Sequence, residues 1–333
     1  MTKVLVVGGT GAMGTPVVRR LATRAGAEVS VLTRDPDSSR ARALLDAGNV
    51  RLVQGSVDDV ADAASALVGV EEVFCNTDFF ATASPVREYE QGLEILAAAE
   101  AAGVTRFVWS SLDGAATLTD GRIPVPHYDS KAAVEGYIGL RRAEEVMAKQ
   151  YDGWYSTNVA VLVTAPYFEN FQFRMAPQVG PLPDGREGVL FSIPLGAGKY
   201  PLIGLEDIAW FSAHMFGQWD RWAGRTLRII GDSLTGESIA ETFERVTGIP
   251  SAYQAVPLQA IRDMMPDVGH DLAAMLEFFQ EFDLFERARD ITVLRDIYPD
   301  LMSFESWLRK TGWTGGVSEV QKRPVRFSYQ ADS

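Results

Sequence analysis

The sequence predicts an α/β protein in which a doubly wound parallel sheet is followed by a smaller mixed α/β domain. Three observations carry that expectation. The stretch VLVVGGTGAMG at positions 4–14 joins four strand-forming residues directly to glycines at a spacing of three. Short apolar runs then alternate with longer segments of helical period, which is how successive βαβ units read. Beyond about residue 165 this alternation gives way to proline- and glycine-punctuated stretches mixed with amphipathic helices.

Taken in order, strands are expected near 3–7, 28–32, 50–54, 71–75, 106–110 and 158–163, and helices near 12–24, 39–47, 58–67, 84–102 and 130–150. The segment from Ser84 to Ala102 has the clearest pattern. Tyr89, Leu93, Leu96 and Ala97 share one face, and Gly103 stands where a glycine ends a helix. In the second half, strand-like pieces at 188–193 and 225–230 mix with helical patterns at 206–218, 236–246, 257–264, 270–285 and 303–310. The change of rhythm divides the chain into a first domain over 1–164 and a second over 165–333, with segments expected to interleave. The tail after Trp313, with Lys322, Arg323 and Arg326, reads as a surface extension.

Composition narrows the function classes. A chain of 333 residues that is 47% hydrophobic buries a substantial core. Its net charge of −13 opposes general attraction to nucleic acid or to an anionic membrane, so any phosphate site must be local. The single cysteine, Cys75, excludes an internal disulfide, and His127, His214 and His270 are too dispersed to suggest a metal centre. No run of about 18 apolar residues is present. The first strand begins at Lys3, which leaves no room for a targeting peptide, so a cytoplasmic setting is expected.

The glycines at 8, 11 and 14 have a physical use at the turn from a buried strand into a helix. They permit unusual backbone angles, close approach of a ligand and tight packing of helix on strand. The unpaired N–H groups that open the helix then face a diphosphate. Placed after the first strand of a βα series, this reads as a Rossmann-type dinucleotide site. Cofactor choice is read at the end of the second strand. An NAD site usually carries Asp or Glu there, whereas Thr33 and Arg34 offer a donor and a positive charge for a 2′-phosphate. NADP(H) is therefore expected, with Arg40 as a second contact. Alternatively Arg34 and Arg40 pair with Asp35 and Asp37 in solvent.

These residues carry a resemblance. The chain resembles the NmrA-like family of atypical short-chain dehydrogenases/reductases, in particular the branch of the human NADPH-sensing NmrA-like protein. The matching stretches are GGTGAMG at 8–14, LTRDP at 32–36, VQGSVDD at 53–59, HYDSK at 127–131, PYFEN at 166–170 and GLEDIA at 204–209. The resemblance implies a dinucleotide-binding domain closed by a smaller C-terminal domain at the nicotinamide end. By that likeness Gly8, Thr10, Gly11, Ala12, Met13 and Gly14 cradle the phosphates, and Arg34 meets the 2′-phosphate. Thr77, Asp78 and Phe79 lie along the ribose and nicotinamide, Lys131 bonds the nicotinamide ribose, and Tyr167, Phe168 and Asn170 line the far side. Relatives often carry Asp at the position of Ser56 to touch the adenine amine, so Asp58 is the replacement candidate.

The main departure is chemical. The wider superfamily uses Tyr-x-x-x-Lys on one helix face, the lysine lowering the tyrosine pKa for proton transfer to a carbonyl. Here His127 stands at the tyrosine position ahead of Lys131. Histidine can donate a proton near neutral pH, or it is a helix-start residue bonded to backbone. Lys131 is either a ribose ligand or a plain solvated lysine. Ser110 and Ser111 occupy the region of the superfamily's carbonyl-polarising hydroxyl, without a clean register.

Other features have structural readings. The run 271–290, with Leu272, Met275, Leu276, Phe279, Phe282 and Phe285, either packs a core, roofs an apolar pocket or meets a partner subunit. Asp207 is expected to cap or orient a helix, Glu144 and Glu145 to face solvent, and 139–158 to form an extended helix and turn. Three functions follow. The first is an NADPH-dependent reductase of a fairly apolar small organic substrate, with Phe79, Phe80, Tyr167, Phe168, Phe278 and Phe279 as pocket candidates. The second is an NADP(H) sensor acting on a regulatory protein partner, and the third a non-redox enzyme that retains the dinucleotide. The reductase is preferred, as a monomer or homodimer.

Overall fold

The structure, a computed structural model, describes residues 1–173, 175–284 and 289–317. Its strands are β1 (Thr2–Val7), β2 (Ala27–Thr33), β3 (Val50–Gln54), β4 (Glu72–Cys75), β5 (Arg106–Ser111), β6 (Val159–Val163), β7 (Gln178–Pro181), β8 (Glu187–Ser192), β9 (Tyr200–Leu202), β10 (Thr226–Arg228), β11 (Asp232–Leu234) and β12 (Ser251–Gln254). The chain divides into two compact units. The first comprises Met1–Gly114, Pro126–Thr164 and Ile208–Leu227; the second comprises Ala115–Val125, Ala165–Asp207 and the remainder from Arg228.

The first unit is built on a seven-stranded sheet in the order β10-β6-β5-β4-β1-β2-β3. The β1–β2, β1–β4, β2–β3, β4–β5 and β5–β6 pairings are all parallel. The order reverses between β1 and β4, the topological switch point at which open α/β sheets bind ligands beyond the strand carboxyl ends. The central strands are buried on both faces. Leu5 and Val7 of β1 join one core with Ala63, Ile95, Leu96, Val134 and Ile138, while Val4 and Val6, also fully buried, point the opposite way. Each such side chain contributes roughly 1.5–3 kcal/mol by leaving water.

The helices follow local chemistry. After α1 (Gly14–Ala22), α2 (Ser39–Arg42), α3 (Val60–Ala66) and α4 (Phe79–Thr82) comes α5 (Pro85–Ala101). Ser84 caps α5 by accepting from Arg87 N, Pro85 occupies its first position, and Gly103 at φ +72° terminates it. After α6 (Ala115–Leu118), α7 spans Pro126–Met147. It starts four residues before the expected 130 because Pro126, with its fixed φ, suits a first turn.

The extension at 139–158 is welded to the body of this unit. Glu145 accepts from Tyr155 N at 2.8 Å and Ser156 N at 2.9 Å, capping α8 (Trp154–Thr157). Arg142 donates to the carbonyls of Tyr155 and Val159 at 3.0 and 2.8 Å. Glu144 faces solvent as expected, but Glu145 is buried. The difference arises because the chain doubles back through Gly153, where a Cβ would lie 2.2 Å from Glu145 Cδ.

The second unit holds the three-stranded sheet β12-β8-β7 and the pair β11-β9. Its core is aromatic: Phe168 packs against Phe304 and Trp307, and Phe171 stacks on Trp313. The helix Gly269–Glu281 buries Leu272, Met275, Leu276, Phe278 and Phe279, so that stripe is core of this unit; Phe285 lies outside the described residues. The strands β7, β9, β11 and β12, each three or four residues long, were not expected from the sequence. No helix among the described residues is long and apolar enough to cross a membrane.

Asp207, in the first turn of α9 (Leu205–Gly217), is fully buried and accepts from Met302 N at 3.3 Å. Burial, reinforced by the neighbouring Glu169 carboxylate, pushes its carboxyl up to about 7. An Asp normally titrates near 4 when unfolded. The folded state therefore holds the extra proton between those values, and stability falls as pH rises through that window. Asp207→Asn is expected to raise the melting temperature at pH 8 relative to the parent, by the equivalent of about 4 kcal/mol, with the gap closing towards pH 4. Melting curves that stay parallel from pH 5 to 8 would contradict this.

Candidate functional site at the sheet switch point

The loop after β1 has the geometry that the glycine spacing demands. Gly8 adopts φ +76°, and a Cβ there would lie 2.2 Å from the carbonyl oxygen of Asn76, at the end of β4. A Cβ on Gly14 would lie 2.1 Å from Gly8 O and 2.6 Å from Gly9 Cα. Gly11 N closes the turn on Gly8 O at 3.0 Å. Strand, loop and helix are thus packed backbone against backbone. Gly11 and Ala12 are exposed, Met13 is the N-cap residue of α1, and Gly14 is its first residue. No acidic residue occupies its first turn, so the positive end of the helix is left for an anion.

Arg34 and Arg40 are both exposed, beside the end of β2 and on α2. The expected competitor for them is otherwise engaged: Asp37 pairs with Arg42 at 2.8 Å, and Asp35 accepts from Asp37 N at 3.0 Å. Among the described residues neither Arg34 nor Arg40 takes an ion-pair partner. Asp58 differs. Its carboxylate accepts from Gln91 at 2.6 Å and from Ser56 Oγ at 3.1 Å, with Arg87 at 3.6 Å, so it already has partners on α5.

The loop after β4 carries Thr77, Asp78 and Phe79. Thr77 is buried and Asp78 exposed, and Phe79 opens α4. The Phe79 and Phe80 rings lie 5.9 and 5.4 Å from the His127 imidazole, which also meets Tyr128 edge-on at 4.8 Å. His127 is therefore a buried member of an aromatic cluster in the first turn of α7.

Lys131, one turn along α7, is not solvated. Its ammonium donates to Thr77 O, Thr77 Oγ1 and Glu88 Oε1, each at 2.8 Å. The three candidates for chemistry are thus oriented differently. Ser110 Oγ turns to Met13 Sδ at 3.3 Å, beneath the glycine loop, whereas Ser111 turns to Glu135 and the Lys131 carbonyl on α7. Cys75, at the end of β4, is an inert thiol: burial pushes it up to about 12 against the pull of Lys131.

In the second unit, Phe168 is fully buried between Phe304 and Trp307, which leaves its ring no open face. Tyr167 and Asn170 are half-buried. Glu169, between them, accepts from Trp307 Nε1 at 3.2 Å and from Leu205 N, and burial raises its carboxyl.

Two contributors, Asn76 and Glu88, are not evident from the sequence motifs. For Glu88 a signal existed: it stands on the buried stripe of α5 with Gly92, Ile95 and Ala99, where a charge requires a partner. Gly92 lets α5 approach α7, since a Cβ there would lie 2.5 Å from Val134.

Comparison with known proteins agrees with this architecture. The family model described as NmrA-like family matches residues 1–308. The NmrA-like family domain-containing oxidoreductase FrzB of a Cladobotryum species is 27% identical over 263 residues, covering 76% of each chain. Among solved structures, NmrA, a negative transcriptional regulator, in complex with NADP superposes with a TM-score of 0.73 at 20% identity, over 93% of this chain and 94% of that one. Triphenylmethane reductase of a Citrobacter species complexed with NADP(H) gives 0.68 at 16% identity, over 92% and 99%.

Proposed function

The chain belongs to the NmrA-like family, and from that premise we propose that it is an NADP(H)-binding oxidoreductase, a NADPH-dependent reductase of a fairly apolar small organic substrate. The observation that carries the reading is the glycine turn, where every added Cβ at Gly8 or Gly14 would strike backbone. Such closeness serves a ligand that must reach the amide groups themselves. The residues present fit the cofactor: Ala12, Met13 and Gly14 N–H for the diphosphate, and Arg34 with Arg40, neither ion-paired among the described residues, for the 2′-phosphate. Solved structures of similar fold hold NADP, NADP(H) or, in one NmrA complex, NAD, which supports a nicotinamide dinucleotide here and leaves the preference for the phosphorylated form to Arg34 and Arg40.

When bound, NADPH supplies a hydride. The chain's own residues supply the rest. The Phe79 and Phe80 rings beside His127 offer an apolar surface that favours an apolar substrate. His127, in ring contact with both phenylalanines, is assigned the proton transfer to a reduced oxygen or nitrogen. A second reading, an NADP(H) sensor that changes its contacts with a protein partner, draws support from the histidine at the superfamily's tyrosine position and from a lysine already committed to Thr77 and Glu88.

Two experiments test these readings. Arg34→Ala is expected to weaken NADPH by about 10- to 150-fold, the effect of a charge-assisted contact worth roughly 1.5–3 kcal/mol, and to leave NADH nearly unchanged; equal losses for both would refute the phosphate assignment. Nicotinamide absorbance followed across quinones, imines and enones should reveal turnover, and His127→Phe should lower kcat by about 100-fold or more. Full activity in that variant would remove the proposed proton donor, and tight binding with no turnover on any of them would favour the sensor.

A further inference from the structure

Glu88 is a fully buried carboxylate on α5. Such a group is strongly disfavoured unless charge and hydrogen bonds compensate it. Here the compensation is complete. Glu88 Oε1 accepts from Lys131 Nζ at 2.8 Å and Thr77 Oγ1 at 2.7 Å, and Oε2 accepts from Ser130 Oγ. The three ammonium hydrogens of Lys131 meet three acceptors, two of them on Thr77. Glu88 lies on α5 and Ser130 and Lys131 on α7, whereas the hydroxyl and carbonyl of Thr77 are both carried by a turn. That carbonyl belongs to the turn between β4 and α4, which leads directly into the Phe79–Phe80 wall around His127.

We propose that Glu88 is a positioning residue of the nicotinamide site: it holds the Lys131 ammonium on the Thr77 carbonyl, and so sets the β4–α4 turn before the cofactor arrives. The proposal rests on the NADP(H) reading above and assigns Lys131 a different primary task from bonding the ribose. A merely structural ion pair would stabilise the whole first unit without distinguishing one end of the dinucleotide from the other. A positioning pair acts on the nicotinamide half alone.

Calorimetric titration with NADPH and with adenosine 2′,5′-bisphosphate, which lacks the nicotinamide half, separates the two. In Glu88→Gln, NADPH is expected to weaken by about tenfold or more, the fold-change for losing one charge-assisted hydrogen bond, while the bisphosphate binds within about twofold of the parent. Glu88→Asp, which keeps the charge, should recover part of the loss. If both ligands keep their affinities, or both weaken together with a lowered melting temperature, the proposal is overturned. Should Glu88→Gln fail to fold, Ser130→Ala decides: it removes the donor to Glu88 Oε2 without touching a residue assigned to the cofactor, and must weaken NADPH selectively. A parent protein that binds neither ligand would instead overturn the NADP(H) reading itself.

Discussion

Replacing Gly14 by alanine is expected to lower NADPH affinity by at least about a hundredfold and to destabilise the protein. Two effects oppose each other. Alanine is the better helix former by about 1 kcal/mol, and Gly14 is the first residue of α1. Against that, the new methyl would sit 2.1 Å from Gly8 O and 2.6 Å from Gly9 Cα. Both obstacles are backbone and cannot rotate aside, so α1 must move off the β1 loop. Overpacking of this kind typically costs about 1–3 kcal/mol, and it displaces the amide groups that the diphosphate requires. Gly136 is the control, because it lies exposed on α7 and an added methyl there would meet nothing within 4 Å. Gly136→Ala should stabilise by about 0.5–1 kcal/mol and leave binding alone. Urea unfolding and calorimetry of the two variants decide the matter; wild-type affinity in Gly14→Ala would show that the turn tolerates displacement.

Breaking the buried pair should have the largest effect on stability. Lys131→Met removes the cation but leaves the Glu88 carboxylate fully buried with, among the described residues, Thr77 and Ser130 as its remaining donors. Loss of one partner from a buried pair costs about 3–5 kcal/mol, whereas replacing both partners by well-packed neutral groups is often near neutral. The double variant Lys131→Met with Glu88→Leu should therefore be more stable than Lys131→Met alone. Unfolding midpoints test the order directly. A single variant within about 1 kcal/mol of the parent would mean that water reaches Glu88 and that the pair is not dry.

The first unit was legible because its signals are local and periodic. The apolar runs at β1, β2 and β6, the Ser84–Pro85 start and the Gly103 stop of α5 each act over a few residues, and each stands where the sequence places it. The glycine turn was legible for the same reason. What escaped depends on distant pairings. Glu145 looks like its exposed neighbour Glu144 until α8 folds back onto it. The role of Glu88 requires knowing that α5 meets α7 at Gly92 and Val134. Phe168 reads as a pocket aromatic in PYFEN, yet Phe304 and Trp307, more than a hundred residues later, enclose it. The tail beyond residue 317, with Lys322, Arg323 and Arg326, lies outside the described residues.

At the root of the proposed function lies a phosphorylated dinucleotide resting across the amide groups that open α1. Isothermal titration of the unmodified chain with NADPH, NADP+ and NADH at moderate ionic strength measures this most directly. Saturable heat for the two phosphorylated forms, with NADH weaker by about tenfold or more as loss of the Arg34 contact requires, is the predicted result. Absence of heat for all three, or a preference for NADH, would contradict it.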